Sequence, residues 1–259
     1  MARRKRKRKG AGGVQSADVA ATILKTLAAQ GGVLALKELA RAAGMPRAKV
    51  HRYLASLRRS GVVAQDAESG RYRLGEAAVA IGLVGLRLLN PVRQLSAALP
   101  GLRERINETV TAAIWSDAGP MVIAIEESDR LVTMNVRVGS VLPVSTTAIG
   151  RVFAAHLPGG TTRRFIAAER RRGGAPDAKA LARLLHGIRA RGLSFRRGAL
   201  IPNVDAIAAP VFDHRGKLVG VICVVGRAQP SMARGGRLAH ALATAAQNLS
   251  RQLGHSAEG

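Results

Sequence analysis

The first third of the chain carries apolar residues at helical spacing, interrupted by glycine. In each of the segments 16–32, 34–44 and 45–61, apolar side chains recur every three or four positions and the segment ends in glycine, which predicts three helices. Two short runs of strand-forming residues follow in 61–75, separated by a turn of acidic residues, Ser and Gly. Three helices followed by a hairpin predict a winged helix-turn-helix domain.

Residues 76–91 are apolar on nearly every side. A helix with this pattern has to be covered by other chain segments on several sides. Because 76–91 lie between the two halves of the chain, the same helix of a second subunit is the expected cover. The pattern therefore predicts a linker helix that pairs two subunits, and the alternative is a helix buried inside its own chain.

Beyond Pro91 the pattern changes to strands enclosed by helices. Amphipathic segments predict helices over 92–107, 145–157, 161–171, 177–192 and 237–254. Apolar runs predict an antiparallel meander of strands over 108–119, 120–129 and 130–139, and two buried strands in 204–226 that turn at Asp213 to Gly216. Strands with helices at both ends are typical of an α+β, sensor-like domain.

The charge of the chain indicates a class of partner. Lys and Arg number 41 against 16 Asp and Glu, which gives a formal net charge of +25. Residues 1–13 are predicted to be a disordered basic arm, because like charges and glycine cannot build a core, with a solubilising tail as the alternative. The rest of the chain is basic as well. This excess favours a polyanionic partner, with nucleic acid first and an acidic membrane surface second.

The third predicted helix sets basic side chains against an apolar stripe of Val50, Leu54 and Leu57. Such a helix buries its stripe against the two other helices and lies with its polar face in the major groove of double-stranded DNA. A merely solvated basic face is the alternative. The residues predicted to contact DNA are Arg47, Ala48, Lys49, His51, Arg52 and Ser56 on this helix, and Arg71 and Arg73 beside the hairpin.

The residue types needed for catalysis or metal binding do not occur at suitable spacings. The lone cysteine, Cys223, excludes an internal disulfide and lies in an apolar strand, where a packing role is expected. No two histidines stand at ligand spacing with a Cys or a carboxylate. Glu126 and Glu127 are adjacent on a strand and point to opposite faces. With no glycine loop for phosphates either, we expect no enzyme activity, no metal and no cofactor.

The sequence also predicts where the protein resides. Its basic start is followed by a polar, glycine-rich segment, so no signal peptide is predicted. The longest apolar run, 77–86, is too short to span a bilayer. A single cysteine suits a reducing compartment. We expect a cytoplasmic protein without a membrane partner.

Several stretches in this order resemble the IclR family of bacterial transcriptional regulators, over about residues 14–253. The matching stretches are "LKELARAAGMPRAKVHRYLASL", "GRYRLG", "VGSVLPVSTTAIGRVFAA", "IRARG" and "IAAPVFDHRGKLVGVICVVG". The resemblance implies a dimer or tetramer that represses or activates catabolic genes in response to a small organic acid. After the basic arm (1–13), the domains that the resemblance implies are a winged helix-turn-helix (14–75), the linker helix (76–91) and a GAF-like effector-binding domain (92–259).

The resemblance also implies an effector pocket. Its contacts, carried over by position, are Ala148 and Ile149 at a helix start, Arg196 in the loop after "IRARG", Ala206, and Cys223 with Val225 on the late strands. Free backbone amides at a helix start attract a carboxylate.

The chain departs from the family pattern at several of these positions. Family members often have an acidic residue at the position of Arg196, a cysteine at that of Ala206, and small polar residues at those of Cys223 and Val225. The pocket is therefore expected to be more apolar and more cationic than in members that sense small keto acids. We hypothesise that Arg196 pairs with the acid group of a larger aromatic or aliphatic ligand, and the alternative is that it faces solvent beside Arg197.

Ala48 and Lys49 stand where the family commonly has Ser or Thr, so the operator sequence cannot be transferred from relatives. A two-fold dimer would place its recognition helices one DNA turn, roughly 34 Å, apart and select a near-palindromic operator. The sequence thus favours a ligand-responsive transcriptional regulator. The alternative, favoured by the arm, is a nonspecific architectural nucleic-acid-binding protein, and an enzyme is the least supported class.

Overall fold

The computed structural model describes residues 14–129, 136–198 and 203–256, which divide into two compact units between Leu88 and Leu89. The division falls inside the predicted linker segment 76–91. The predicted basic arm, residues 1–13, lies outside the described residues, and so does most of the third predicted meander strand, 130–139.

The first unit contains the predicted helices and hairpin. Its elements are α1 (Gln15–Ala29), β1 (Val33–Leu34), α2 (Leu36–Ala42), α3 (Arg47–Arg59), β2 (Val63–Gln65), β3 (Tyr72–Leu74) and α4 (Glu76–Leu88). Among the described residues, β1 adds a third strand that the sequence did not predict, in the antiparallel order β1-β3-β2. The predicted winged helix-turn-helix is confirmed.

The core of this unit is formed by the apolar stripes of α1, α2 and α3. Ile23, Leu27, Leu39, Val50 and Leu54 are completely buried and form one cluster. Each buried side chain of this size contributes about 1.5–3 kcal/mol to stability. This packing therefore fixes which face of α3 points outward.

A close backbone approach joins the end of α3 to the end of the hairpin. Gly61 follows α3 with φ +69°, a left-handed conformation that favours glycine. A Cβ at Gly75 would lie 2.1 Å from the Gly61 carbonyl oxygen, so only glycine fits there. The Gly75 N–H donates to the Val62 carbonyl at 2.9 Å, and the Ala77 N–H donates to that of Gly61 at 3.1 Å. These contacts set the start of α4.

The second unit is a sheet with helices on both faces. Its elements are α5 (Pro91–Ile106), β4 (Thr109–Ser116), β5 (Gly119–Glu126), α6 (Ala148–His156), α7 (Gly159–Arg171), α8 (Ala178–Arg191), β6 (Ser194–Arg197), β7 (Val204–Phe212), β8 (Leu218–Arg227), a 3₁₀ turn (Pro230–Met232) and α9 (Arg237–Gln252). Among the described residues, the strands pair antiparallel in the order β5-β4-β8-β7-β6. The predicted α+β fold class is confirmed.

Alternation along the strands gives this sheet two buried faces. Ile207, Ile222 and Val224 face α5 and α9, which contribute a large apolar cluster. Ala208 and Cys223, at the alternate positions, face α6. Small residues on the second face allow α6 to lie close to the sheet.

The α6 helix also lies close to the loop that precedes it. A Cβ at Gly150 would lie 2.2 Å from the Pro143 carbonyl oxygen and 2.6 Å from Cα of Val144. Thr147 caps the helix, because its Oγ1 accepts the Gly150 N–H at 2.9 Å and donates to the Pro143 carbonyl at 2.6 Å. The position of residues 143–147 therefore depends on glycine at 150.

We predict that Gly150→Ala lowers the free energy of unfolding by about 1–3 kcal/mol, the range for overpacking a close contact. Urea unfolding followed by circular dichroism measures this loss. The control is Gly101→Ala in α5, where an added Cβ meets no atom within 4 Å and the change should stabilise by about 0.5–1 kcal/mol. Equal effects of the two substitutions would contradict the role given to Gly150.

Candidate functional site

The outer face of α3 carries the residues predicted to contact DNA. Pro46 occupies the N-cap position and α3 starts at Arg47. Val50 and Leu54 lie on the inner face and are fully buried. Exposed on the outer face are Arg47, Ala48, His51, Arg52 and Ser56, and Lys49 is partly exposed.

Three of the predicted DNA-contact residues already have partners within the protein. These contacts are Arg71 Nη1 with Glu38 Oε2 at 3.5 Å, Arg59 Nη2 donating to Ser56 Oγ at 3.1 Å, and Arg73 Nη1 donating to the Leu74 carbonyl at 3.3 Å. For Arg47, Lys49 and Arg52, no carboxylate of the described residues lies within 4.0 Å. Their positive charge is left for an external anion such as a phosphate.

The β2–β3 hairpin, residues 63–74, is the wing of this domain, and it is hydrogen-bonded to the end of α3. Arg58 Nη1 donates to Gln65 Oε1 at 2.7 Å, and Gln65 Nε2 donates to the Gly70 carbonyl at 2.9 Å. In the turn of the wing, Asp66 Oδ1 accepts from the Ser69 hydroxyl and backbone N–H, and these bonds lower the pKa of the Asp66 carboxyl. The wing is therefore held next to the C-terminal end of α3.

The predicted effector contacts come together on one side of the second unit. Arg196 on β6 pairs with Ala206 on β7, which pairs in turn with Val225 on β8, so the three form one row across the sheet. Cys223 lies in the next row of the same face. Ala148 and Ile149, the first residues of α6, pack in the cluster on this face and are buried. Arg196 was expected in a loop and lies instead on strand β6, the edge strand after α8.

A cavity of about 490 Å³ opens beside this edge of the sheet, within the 300–1,000 Å³ that small-ligand pockets span. Its lining residues are Phe195, Arg196, Arg197, Asp205, Ala206, Met232, Ala233 and Arg234. Of the six predicted effector contacts, Arg196 and Ala206 line it. Phe195 and Met232 of the lining pack in the apolar cluster of α5 and α9, so the cavity opens on the sheet face opposite α6. The other four predicted contacts, Ala148, Ile149, Cys223 and Val225, are on the α6 face and do not line it.

Cys223 has the environment of a packing residue. Its side chain is buried, and burial raises the pKa of the thiol to about 12. At neutral pH the thiol is therefore protonated, and a protonated thiol is a poor nucleophile. This agrees with the packing role that the sequence predicts.

Two arginines converge on the loop before α6. Arg196 Nε donates to the Thr146 carbonyl at 2.9 Å, and Arg151 Nε, from α6 itself, donates to the Ser145 carbonyl at 2.7 Å. Arg151 is 7% exposed, and burial together with the positive charge of Arg196 lowers the pKa of its guanidinium. No carboxylate of the described residues lies within 4.0 Å of a nitrogen of either guanidinium.

The carboxylate of Glu169 binds this loop from another side. Its oxygens accept the backbone N–H groups of Val144 and Ser145, and the Ser145 hydroxyl also donates to it. The loop thus offers its N–H groups to Glu169 and its carbonyls to the two arginines.

Sequence reasoning missed Arg151. A signal was available in "AIGRVFAA", where an arginine interrupts an otherwise apolar helix. If such a helix is buried on all sides, its arginine has to find a partner inside the protein. Helical side chains also lean toward the helix N-terminus, so a residue four positions after Thr147 can reach the loop before it. The burial of α6 became known only from its packing against the sheet.

Within the described parts of the chain, no group of three or more His, Cys, Asp or Glu side chains could hold a metal ion. Among the helices described there, none is both long enough and apolar enough to cross a membrane.

Comparison with known proteins gives matches along both units. The family model described as "Bacterial transcriptional regulator IclR C-terminal" matches residues 88–251, and the one described as "IclR helix-turn-helix domain" matches residues 16–67. The crystal structure of Pseudomonas aeruginosa HmgR superposes with a TM-score of 0.84 at 40% sequence identity, covering 94% of this chain and 100% of that one.

Two curated relatives are similar in sequence. The transcriptional repressor IclR of Escherichia coli is 32% identical over 148 residues, which cover 56% of this chain and only about half, 54%, of the repressor. The glycerol operon regulatory protein of Streptomyces coelicolor is 27% identical over 246 residues, covering 93% of this chain and 95% of that protein. On these matches, the chain belongs to the IclR family of bacterial transcriptional regulators.

Proposed function

We propose that this protein is a transcriptional regulator that binds a near-palindromic operator as a homodimer or tetramer and controls catabolic genes in response to a small organic acid. The observation that carries the proposal is the outer face of α3. There, Arg47, Lys49 and Arg52 stand opposite a buried stripe with no carboxylate of the described residues within 4.0 Å. DNA supplies the missing negative charge.

The α3 surface can both position the protein and read sequence. The cations neutralise phosphates, which supplies affinity without sequence information. His51 and Ala48 are short, exposed side chains on the N-terminal half of the helix, the part that reaches base edges when a recognition helix lies in the major groove. Arg71 and Arg73 of the wing then hold the neighbouring backbone.

The apolar face of α4 supports assembly into dimers. Val79 is 55% exposed and Ile81 67% exposed, and Leu83 and Val84 are exposed as well. Contiguous apolar surface of this kind marks an association site in soluble proteins. A second copy of α4 is the proposed cover, because two-fold pairing there would also bring two α3 helices to one palindromic site.

The cationic edge of the sheet supports an acidic effector. Arg196 and Ala206 line the cavity of about 490 Å³, and Arg197 and Arg234 add positive charge to its lining. A carboxylate can pair with the Arg196 guanidinium. The effector acts only by binding the DNA-competent and incompetent arrangements unequally, and such coupling is typically about 1–3 kcal/mol.

We predict that Arg47→Ala combined with Arg52→Ala abolishes the operator footprint while the fold is retained. Footprinting on operator fragments selected by the wild type measures the loss. In residual binding, the slope of log affinity against log salt should fall by about 0.9 per phosphate contact removed. The control, Arg163→Ala combined with Arg171→Ala on α7, changes the net charge equally and should keep the footprint. Uniform wild-type coverage of any duplex would favour the architectural alternative.

We predict that Ile81→Asp reduces assembly, because a charge would be buried at the proposed α4 interface. Sedimentation velocity should show a shift toward monomer that grows on dilution. Val138→Asp is the control, since Val138 is similarly exposed, at 64%, in the other unit. Unchanged assembly of the Ile81 variant would remove α4 from the interface.

We predict that at least one acid from a panel of aromatic and aliphatic carboxylates changes operator affinity by about 5- to 150-fold, the usual range of allosteric coupling. Fluorescence anisotropy with labelled operator measures the change. Arg196→Ala should leave operator binding without acid unaltered and remove most of the response. A full response in the variant would exclude Arg196 from effector binding.

A further inference from the structure

A second cavity lies at the β6 edge of the sheet, next to the one that Arg196 lines. It has a volume of about 480 Å³ and is bordered by the ends of β6 and β7 and by the 3₁₀ turn, and Arg196 does not line it. The two cavities share Arg197, Asp205 and Ala233 in their linings. Alternation along β7 puts Asp205 on the same face as Ile207, which packs with α5 and α9. The second cavity is therefore separate from the predicted contacts at the start of α6.

Asp205 is a buried carboxylate in the lining of this cavity. Its side chain is 8% exposed, and it makes no hydrogen bond or ion pair with any of the described residues. Arg197 stands directly opposite on β6, where paired side chains have Cβ atoms about 4.5–5.5 Å apart. Even so, no nitrogen of Arg197 lies within 4.0 Å of the Asp205 carboxylate. Because a buried carboxylate is costly without an opposite charge, Asp205 favours a cation in the cavity.

Another buried carboxylate lies close to Asp205. Glu108 is 2% exposed, and its Oε1 accepts from Gln229 Nε2 at 2.8 Å. It lies over Gly226, where an added Cβ would meet Glu108 Oε2 at 2.5 Å. Gly226 is the residue of β8 that pairs with Asp205. The glycine thus leaves room for a carboxylate near Asp205, and the two acids concentrate negative charge in one recess of a strongly basic chain.

The outer part of the same cavity carries the opposite charge. Arg197 is exposed, lines the cavity and has no carboxylate of the described residues within 4.0 Å of its nitrogens. The apolar part of the lining is formed by Ala228, Pro230 and Ala233. A buried anion, an exposed cation and an apolar wall suit a small molecule that carries both charges and an apolar group.

The alternative is that Asp205 and Arg197 simply neutralise each other. Arginine and a carboxylate on paired strands have the reach for a two-pronged ion pair. The structure instead leaves Arg197 exposed and apart from Asp205. An internal ion pair would make each residue necessary for the stability of the fold, whereas a ligand site would not.

We propose that this cavity binds a zwitterionic α-amino acid with an apolar side chain. The ammonium group of the amino acid donates to the Asp205 carboxylate, and its carboxylate accepts from the Arg197 guanidinium. Its side chain lies against the apolar lining. A simple amine would leave Arg197 without an anion, and a simple acid would leave Asp205 without a cation. The inference goes beyond the proposed effector response, since it uses neither Arg196 nor the start of α6.

The test uses the full chain and two matched pairs of probes, L-leucine with 3-methylbutylamine and L-phenylalanine with 2-phenylethylamine. Each amine keeps the side chain and the ammonium group of its amino acid and lacks the carboxylate. Isothermal titration should show that wild type binds at least one amino acid about tenfold or more tightly than the matching amine, because only the amino acid pairs with Arg197.

Four variants locate the binding site. Asp205→Asn should weaken the amino acid by about 10- to 150-fold, the range for losing a hydrogen bond to a charged group. Arg197→Met should bind the amino acid no more tightly than the amine. Asp117→Asn, the control, removes an exposed carboxylate elsewhere in the same unit and should bind as wild type does. Arg196→Ala should also bind as wild type does, which separates this cavity from the proposed effector contact.

Thermal unfolding distinguishes a ligand site from an internal ion pair. Without a probe, Asp205→Asn and Arg197→Met should each melt close to the wild-type temperature or above it, since no ion pair is lost. The amino acid should raise the melting temperature of wild type by mass action, and Asp205→Asn should lose this rise.

Four results would overturn the inference. They are melting well below wild type in either variant, unchanged amino acid affinity in Asp205→Asn, lost affinity in Arg196→Ala, and no binding of either amino acid by wild type. The operator footprint of wild type tests DNA binding separately and does not depend on any of these results.

Discussion

The packing of Val50 and Leu54 against α1 and α2 holds α3 in a single orientation. Both side chains are fully buried, so rotation of the helix would return them to water at about 1.5–3 kcal/mol each. When the apolar stripe of a helix is fixed against a core, the directions of all its remaining side chains are fixed as well. Arg47 and Arg52 consequently point outward. The apolar core of the first unit thus determines that the positive charges of α3 lie on its solvent-exposed face.

The second unit applies the same constraint in the interior. Small side chains at Ala113 and Ala208 allow α6 to approach the sheet, and glycine at 150 allows it to approach its own preceding loop. Because α6 is covered on these sides, Arg151 is largely buried and its Nε donates to the Ser145 carbonyl. In both units, apolar packing positions cations that have no carboxylate of the described residues within 4.0 Å.

The sequence predicted those elements whose apolar residues recur with a clear helical or strand period. α3 was predictable because its apolar spacing, its glycine stop and the hairpin after it all favour the same domain. β1 was not, since Val33 and Leu34 are too few to show a period and are made a strand only by pairing with Tyr72 and Arg73. The linker helix ends at Leu88 and not at residue 91, because Asn90 caps the next helix through its Oδ1.

The effector side was only partly predictable. Arg196 was identified by position, and the family resemblance placed it in a loop. The four residues of β6 include two arginines and show no apolar alternation that would predict a strand. Its strand conformation depends on pairing with β7, a contact between segments that the sequence does not reveal. Arg151 was missed for a related reason. A period of 3.6 assigns residues to faces, but it does not say whether the polar face is covered, and for α6 it is covered.

The difference in burial between the two cationic sites has a physical consequence for regulation. The cations of α3 are solvent-exposed, so mobile ions screen them within a Debye length of about 8 Å at physiological salt. Arg151 is buried and is screened far less. DNA affinity should then fall steeply as ionic strength rises, whereas the interactions of Arg151 inside the protein should change little. The two cationic sites therefore differ in how strongly dissolved salt acts on them.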